Sequence, residues 1–501
     1  MNGHANGQSE HRFDVIIVGA GISGINAAYR VQDQLPGFSY AILEARHDHG
    51  GTWDLFKYPG IRSDSDLFTF GFAFNPWNRS NPIAEGSAIK TYIGDTARKY
   101  GIDKHILYKH RLTAADWSNE EHVWNLSVDA DGKEKKYTAR FVIFGTGYYN
   151  YKQPLQANIP GLDAFKGQII HPQFWPEDLD YTGKKIVIIG SGATAITLLP
   201  NLADKAARVT MLQRSPTYIL SLPNRSANHW LSYILPSAAY QRIQRAVWII
   251  TTRIFFLFCQ KFPTFSKWIL KKNVSRQLPK HIPYEPHFAP RYNPWDQRLC
   301  VCPDGDFFKS LRAGKADVRT DTIKTVVSNG ITLNSGETLD ADIIITATGL
   351  QLQLAGGAQV SIDGKKYDPG SKYMWNGVML QDLPNATFII GYTNASWTLG
   401  SDATAQFVTR LLKTLDERKV IAATPRLKPA DAKNLQERPL LNLNSTYVTV
   451  AQRTLPRAGD KGPWQPRDHY HKDIKFALKG DINEGMEFVA GPNLRLRPKL
   501  S

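Results

Sequence analysis

Val15-Ile16-Ile17-Val18-Gly19-Ala20-Gly21-Ile22-Ser23-Gly24 and Ile186-Val187-Ile188-Ile189-Gly190-Ser191-Gly192-Ala193-Thr194-Ala195 repeat one pattern within a single chain. Each opens on four β-branched residues, too few for a buried helix and suited to a strand covered on both faces of a parallel sheet. Each then turns through two glycines into a stretch, 25–31 and 196–202, whose apolar residues have helical spacing. Glycine at the first two positions permits a tight turn and lets the backbone come close to a pyrophosphate. The helix N-terminus offers unpaired N–H groups to that anion. One such turn is a weak signal. Two, each behind an apolar strand, indicate an α/β chain with two dinucleotide sites.

The residues beyond each turn separate the two sites. Glu44 closes the run Tyr40-Ala41-Ile42-Leu43-Glu44, twenty residues after Gly24. A carboxylate there accepts from ribose hydroxyls and repels a 2′-phosphate. The corresponding run Val209-Thr210-Met211-Leu212-Gln213 ends in Arg214-Ser215. A cation and a hydroxyl favour a 2′-phosphate, although an exposed arginine also serves as a surface ion-pair partner. The first site therefore suits FAD or NAD, and the second NADPH. Two more apolar runs end in glycine, Phe141-Val142-Ile143-Phe144-Gly145-Thr146-Gly147 and Ile343-Ile344-Ile345-Thr346-Ala347-Thr348-Gly349. The latter resembles the strand by which two-dinucleotide flavoproteins return from the NADPH domain to the FAD domain. With hinges read at 155–161 and near Asp340, the expected architecture is an FAD domain from 1–150 and 341–501. An NADPH domain at 151–340 is inserted in it, carrying a helical insertion at about 220–290.

The chain has 501 residues, with 61 Lys+Arg against 45 Asp+Glu and a net charge of +16. At roughly 150 residues per domain it has room for about three units. Ordinary contents of Gly (38) and Pro (29) exclude collagen-like and low-complexity chains. Cys259, Cys300 and Cys302 make neither a disulfide framework nor a zinc spacing. The first twelve residues are polar, unlike an export signal, and the closing Lys499-Leu500-Ser501 is not a peroxisomal address. The most apolar segment, 246–259, has 14 residues and contains Arg253, too short to span a bilayer. A reduced, cytoplasmic protein is expected. Between Arg242 and Arg298 eleven Lys/Arg face two acids, Glu285 and Asp296, so this aromatic-rich segment carries +9 of the +16. It reads as a face for peripheral contact with anionic lipid, as a rim around an anionic cofactor, or as a helical insertion with an exposed basic side.

Phe165-Lys166-Gly167-Gln168-Ile169-Ile170-His171-Pro172-Gln173-Phe174-Trp175-Pro176 matches every fixed position of F-x-G-x-x-x-H-x-x-x-W-P, the fingerprint of Baeyer–Villiger monooxygenases. Heteroatom-oxidising relatives share the Phe, Gly and His but usually end differently. The chain is also similar to this family in Gly50-Gly51-Thr52-Trp53, in Tyr58-Pro59-Gly60-Ile61-Arg62-Ser63-Asp64 and in Asn293-Pro294-Trp295-Asp296-Gln297-Arg298. With Gly391-Tyr392-Thr393-Asn394-Ala395-Ser396-Trp397, the resemblance covers nearly the whole chain. It is strongest to the branch that contains the ethionamide-activating monooxygenase.

The resemblance implies a flavoprotein in which NADPH reduces FAD, O₂ is taken up as a C4a-peroxyflavin, and a ketone becomes an ester or lactone. Sulfides are further substrates. It implies Arg298 as the active-site arginine, a permanent cation whose planar fork can hold oxyanion and carbonyl, and Asp64 as the acid that positions it. For FAD it implies Gly19, Gly21, Ser23 and Gly24 at the phosphates, Glu44 at the ribose, and Gly51, Thr52, Trp53 and Leu55 beside the flavin. The backbone of Leu112, at the end of the strand through His110, is implied at the adenine. For NADPH it implies Arg62, Ser63 and Asp64, the turn Gly190, Ser191, Gly192, Ala193, Thr194 and Ala195, and Arg214 with Ser215.

Plainer roles stand beside these. Arg298 also suits a structural ion pair, Asp64 a cap for a helix near Leu67, and His171 a hydrogen-bonding linker. Trp53 and Trp175 suit packing. Gln297 stands where many family members have a lysine that helps hold the 2′-phosphate, leaving Arg214 and Ser215 as the main support for NADPH. Cys300 and Cys302 are one residue apart and are not a C-x-x-C redox pair. Oxidation of sulfur or nitrogen on the same scaffold is the alternative activity. A non-enzymatic basic binding protein would have no use for Glu44 and two phosphate turns, and neither a nucleic-acid nor a metal partner is expected.

Overall fold

A computed structural model describes residues 11–491 except Asn442 and Asp468, so the polar start and Lys499-Leu500-Ser501 lie outside the described residues. β1 (His11–Val18) lies between β2 (Tyr40–Leu43) and a long strand, β3 (Lys133–Phe144), parallel to both. Its apolar run is uninterrupted because both faces are covered. Val15 and Ile17 pack with Ile25 and Ala28 of helix α1 (Ile22–Gln34), whereas Ile16 and Val18 pack with Trp117 and Trp124. Helix α1 ends before Leu35, since Pro36 disfavours a helical residue ahead of it. The strands His110–Ser118 and Val123–Ala130 lead antiparallel into β3. Leu112, expected at a strand's end, is the third residue of His110–Ser118; left-handed Lys109 (φ 57°) turns the chain first, and the strand then runs on past Leu112.

The second sheet has five parallel strands. Its order is Ala316–Thr320, β5 (Arg208–Gln213), β4 (Lys185–Ile189), β6 (Ile343–Thr346) and Gln168–Ile170. Helix α2 (Ala193–Ala203) follows the second glycine turn and buries Ile196, Leu199 and Leu202 against Ile186, Ile188 and Val209. Between β5 and Ala316–Thr320 come a turn, His229–Tyr233, and two helices, α3 (Ser237–Lys261) and α4 (Pro263–Ser275). Pro263, which lacks an N–H to pair, opens α4. No helix among the described residues is long and apolar enough to cross a membrane.

The chain returns to the first sheet with Gln359–Ile362 beside His110–Ser118 and Ala386–Phe388 beside β3. Helix α5 (Trp397–Glu417) then packs on α1, where Arg30 donates to Asp402 at 2.8 Å. One expected boundary is corrected. The sequence places the run through Ile343 in the segment returning from 341, but β6 pairs with β4 and Gln168–Ile170, so the return falls beyond Thr346. The three isoleucines of β6 are buried in the second sheet. The two chain crossings, Tyr149–Pro154 and Leu350–Leu352, lie antiparallel as a two-stranded ribbon.

Candidate active site

The first glycine turn is built for close approach. Gly19 has φ +102°, and a Cβ on Gly24 would stand 1.8 Å from the Gly19 carbonyl oxygen. A Cβ on Gly21 would face Gly51 at 3.6 Å. No side chain caps α1, so its first N–H groups are left for an anion. Glu44 is buried and accepts from the Ala20 N–H at 2.6 Å and the Arg46 N–H at 2.9 Å. Burial pushes its carboxyl up, and those two N–H groups oppose the shift. Beside this turn Gly50 and Gly51 both have positive φ, and Thr52 bonds the Tyr149 hydroxyl. Trp53 packs edge-on against Phe70, and Trp397 donates to the Ser23 hydroxyl at 2.9 Å. These residues fit a dinucleotide with a flat ring system at its inner end.

The second turn is more open. Gly190 (φ +140°) could not carry a Cβ, which would lie 2.3 Å from the Ala347 carbonyl oxygen, but a Cβ on Gly192 would meet nothing within 4 Å. Helix α2 also lacks a side-chain cap. Ser191 donates to the Ser215 carbonyl at 2.9 Å, tying the turn to the end of β5. Arg214 is exposed there and reaches Thr446 at 3.4 Å. The arrangement fits an anionic nucleotide with a phosphate near Arg214.

Arg298 and Asp64 stand where two cavities meet. Arg298 donates to Asp64 Oδ2 at 2.5 Å and to the Tyr392 carbonyl at 3.3 Å. The Asp64 carboxylate holds the guanidinium charge well above arginine's ordinary range. On one side lies a cavity of about 260 Å³ lined by Gly21, Ser23, Gly51, Thr52, Trp53 and Thr194, among others, so it touches both glycine-turn helices. On the other lies a mostly apolar cavity of about 340 Å³, with Leu220, Trp248, Phe255, Trp295, Leu299 and Leu399 in its walls. Both ionised residues line both cavities.

Other candidates have different surroundings. The helix near Leu67 is capped by Asp66, which accepts from the Thr69 N–H at 2.8 Å, and this leaves Asp64 to Arg298. Ser63 is buried and accepts from the Ala84 N–H at 3.2 Å, away from the cavities. Arg62 lines the smaller cavity but is ion-paired to Asp306. Leu55 is partly buried and packs against the core of the second unit, which includes Phe56 and Tyr58. His171 Nδ1 accepts from the Gln173 N–H, and burial lowers its pKa. Gly167 lies so close to the Asp342 carbonyl that a Cβ would be 2.3 Å from its oxygen, which accounts for the glycine in the fingerprint. Cys300 and Cys302 are free and buried, and burial pushes both thiols up to about 12. The sequence reading missed Tyr148, Tyr149 and Tyr151, which line the smaller cavity directly after Gly147. Three tyrosines within four residues after a glycine-ended strand were the available signal.

Two glycine-turned helix N-termini on one cavity, with a buried carboxylate behind the first and an arginine beside the second, define a flavoprotein with a second, nicotinamide-nucleotide site. A match across residues 12–424 shows that the chain belongs to the flavin-binding monooxygenase-like family. It is a flavin-dependent monooxygenase using FAD and NADPH. It is 49% identical over 479 residues to the FAD-containing monooxygenase EthA of Mycolicibacterium smegmatis, covering 95% of this chain and 96% of that one. Against the probable FAD-binding monooxygenase AlmA of Acinetobacter baylyi the identity is 44% over 481 residues, with 95% and 96% covered. The fold matches an oxidised steroid monooxygenase bound to NADP at a TM-score of 0.75 and 21% identity, covering 96% of this chain and 100% of that one. An open cyclohexanone monooxygenase matches at 0.74 and 19%, with the same coverage.

Proposed function

We propose that the enzyme inserts an oxygen atom beside the carbonyl of an apolar ketone, giving an ester or lactone, and that it also oxidises sulfides. The observation that carries this reading is the Arg298–Asp64 pair, set between the smaller cavity and the apolar one. FAD, reduced by NADPH, supplies the activation of O₂ when bound. The chain's residues do the rest. The turn Gly19, Gly21, Ser23 and Gly24 holds the FAD phosphates, Glu44 the ribose, and the turn from Gly190 to Ala195 with Arg214 and Ser215 the NADPH phosphates. Arg298, aimed by Asp64 and the Tyr392 carbonyl, points its remaining donors at the ketone oxygen, where negative charge develops during oxygen transfer. With the coenzymes and a ketone bound, the apolar walls would leave little room for water, which strengthens that interaction. All three cysteines are free, in keeping with a reducing cytoplasmic location.

The test is product analysis of the holoenzyme supplied with NADPH and either an aliphatic ketone or a thioether. Ester from the ketone is expected. Sulfoxide without ester from any ketone tried would leave the heteroatom-oxidising activity in its place.

A further inference from the structure

Eleven of the sixteen large apolar side chains left exposed among the described residues fall between Trp230 and Ile269. On α3, Ile243, Ile250, Ile254 and Leu257 follow one another at intervals of seven, four and three residues, which places them on one stripe of the helix. On α4, Phe265, Trp268 and Ile269 share a face, and Phe265 stacks on Trp268 at 5.5 Å. Phe258 joins the two helices through Phe262 at 5.6 Å and Phe265 at 6.0 Å. The preceding turn adds Trp230, Tyr233 and Ile234, with Tyr233 79% exposed. An apolar surface gathered in one place marks an interaction site, whereas scattered apolar residues do not.

The stripe belongs to a well-anchored helix. Arg245 of α3 donates to the carbonyls of Phe68 and Gly71, each at 2.9 Å. The inner side of α3 contributes Trp248, Thr252 and Phe255 to the wall of the apolar cavity. The outer stripe is therefore what remains once the inner side has been packed.

Charge selects the occupant. The sequence contains no Asp or Glu from 205 to 284. Exposed Arg242, Lys261, Lys272 and Arg276 flank the apolar surface. Lys272 Nζ lies 4.9 Å from the Trp268 ring centre, and Lys261 Nζ 5.6 Å from that of Phe262, so their heads and the rings share one boundary. A face between copies of the chain would bring these cations together with no acids to meet them. Aromatic and aliphatic side chains ringed by cations match the interface of an anionic membrane, where rings enter the headgroup layer and ammonium groups meet lipid phosphate.

We propose that the outer face of α3 and α4, with the turn before them, docks in the plane of an anionic lipid bilayer. The apolar cavity then lies one helix diameter, about 10 Å, from the lipid. The test is co-sedimentation of the flavin-loaded enzyme with vesicles of phosphatidylglycerol in phosphatidylcholine, and with phosphatidylcholine alone, at low and physiological salt. Binding to the anionic vesicles, weakened by salt, is expected. The double variant Phe265→Ser/Trp268→Ser and the double variant Lys261→Glu/Lys272→Glu should each weaken it on the order of tenfold. Both should keep full flavin content and unchanged turnover of a water-soluble ketone, because these side chains line neither cavity. Absence of binding at low salt, or equal binding by the variants, overturns the proposal. So does a wild-type dimer in solution that Phe265→Ser/Trp268→Ser converts to a monomer, which would make a second copy the occupant.

Discussion

Arg298 reaches Asp64 at 2.5 Å across 234 residues of sequence. One residue precedes the second sheet and the other is inserted within it, so the pair forms only after the two units have folded against each other. Among the described residues, Arg298 is the one guanidinium that lines both cavities.

Arg298→Ala should lower ester formation by about a hundred- to thousandfold, the loss of ~3–4 kcal/mol of charge stabilisation at the reacting oxygen. FAD content should be unchanged, because the phosphate turn and Glu44 lie elsewhere. NADPH oxidation should persist with hydrogen peroxide as the product. Lysine should rescue poorly, since it keeps the charge without the fork. Ester and peroxide quantified side by side decide the matter.

Asp64→Asn keeps a hydrogen-bond acceptor but removes the charge that fixes Arg298. Turnover should fall about tenfold, with a larger share of NADPH lost to peroxide and partial recovery in Asp64→Glu. A change in stability with unaltered coupling would assign Asp64 a structural role only.

Arg214→Ala should raise the KM for NADPH by the equivalent of about 1.5–3 kcal/mol and leave that for NADH little changed. Steady-state kinetics with both coenzymes give the answer. Equal changes would show that the Arg214 contact with Thr446 is its main role.

The two glycine turns should respond differently to alanine. Gly24→Ala places a methyl 1.8 Å from a carbonyl oxygen and should yield protein without bound flavin. Gly192→Ala enters open space, so the purified protein should be yellow and normally stable, with a raised KM for NADPH where the methyl meets the phosphates. Flavin absorbance and coenzyme kinetics separate the two outcomes.

Asp66 supplies a pH dependence. Burial raises its carboxyl from 3.8 to about 6, against the opposing hydrogen bonds from Thr69. The folded state thus binds the proton more tightly than the unfolded chain. Its stabilising effect is complete below pH ~4 and is lost as the pH rises through ~6, a difference on the order of 2–3 kcal/mol. Asp66→Asn can keep both bonds to Thr69 without a charge. It should unfold at a higher temperature than wild type at pH 8 and at about the same temperature at pH 4. A wild-type advantage at pH 8 would contradict this.

The parts legible in the sequence are those where local chemistry decides the outcome. The β-branched run before Gly19 and the glycine turn itself need no distant partner to be read, and Glu44 is recognisable by its distance from Gly24. Arg298 and Asp64 became legible through motifs characteristic of the family, because nothing local pairs residues so far apart. The return boundary was misplaced because Ile343-Ile344-Ile345 suits a buried strand in either sheet, and register with β4 decides which. Asp64 suits a cap by its distance from Leu67, but Asp66 is the cap, since the Thr69 N–H that selects it depends on where the helix starts. The tyrosines after Gly147 gave a weak local signal, and their place beside the cavity follows from the ribbon that carries them.

That ribbon makes the inserted unit a removable module. Leu352 pairs with Tyr149 and Leu350 with Pro154, so the two ends of the insert leave the first sheet side by side. A segment whose ends are already adjacent can be exchanged for its counterpart from a relative at little loop-closure cost. Chimeras joined within 149–154 and 350–352 should therefore fold, and they would carry the coenzyme preference, the outer apolar face and half of the cavity wall as one transferable piece.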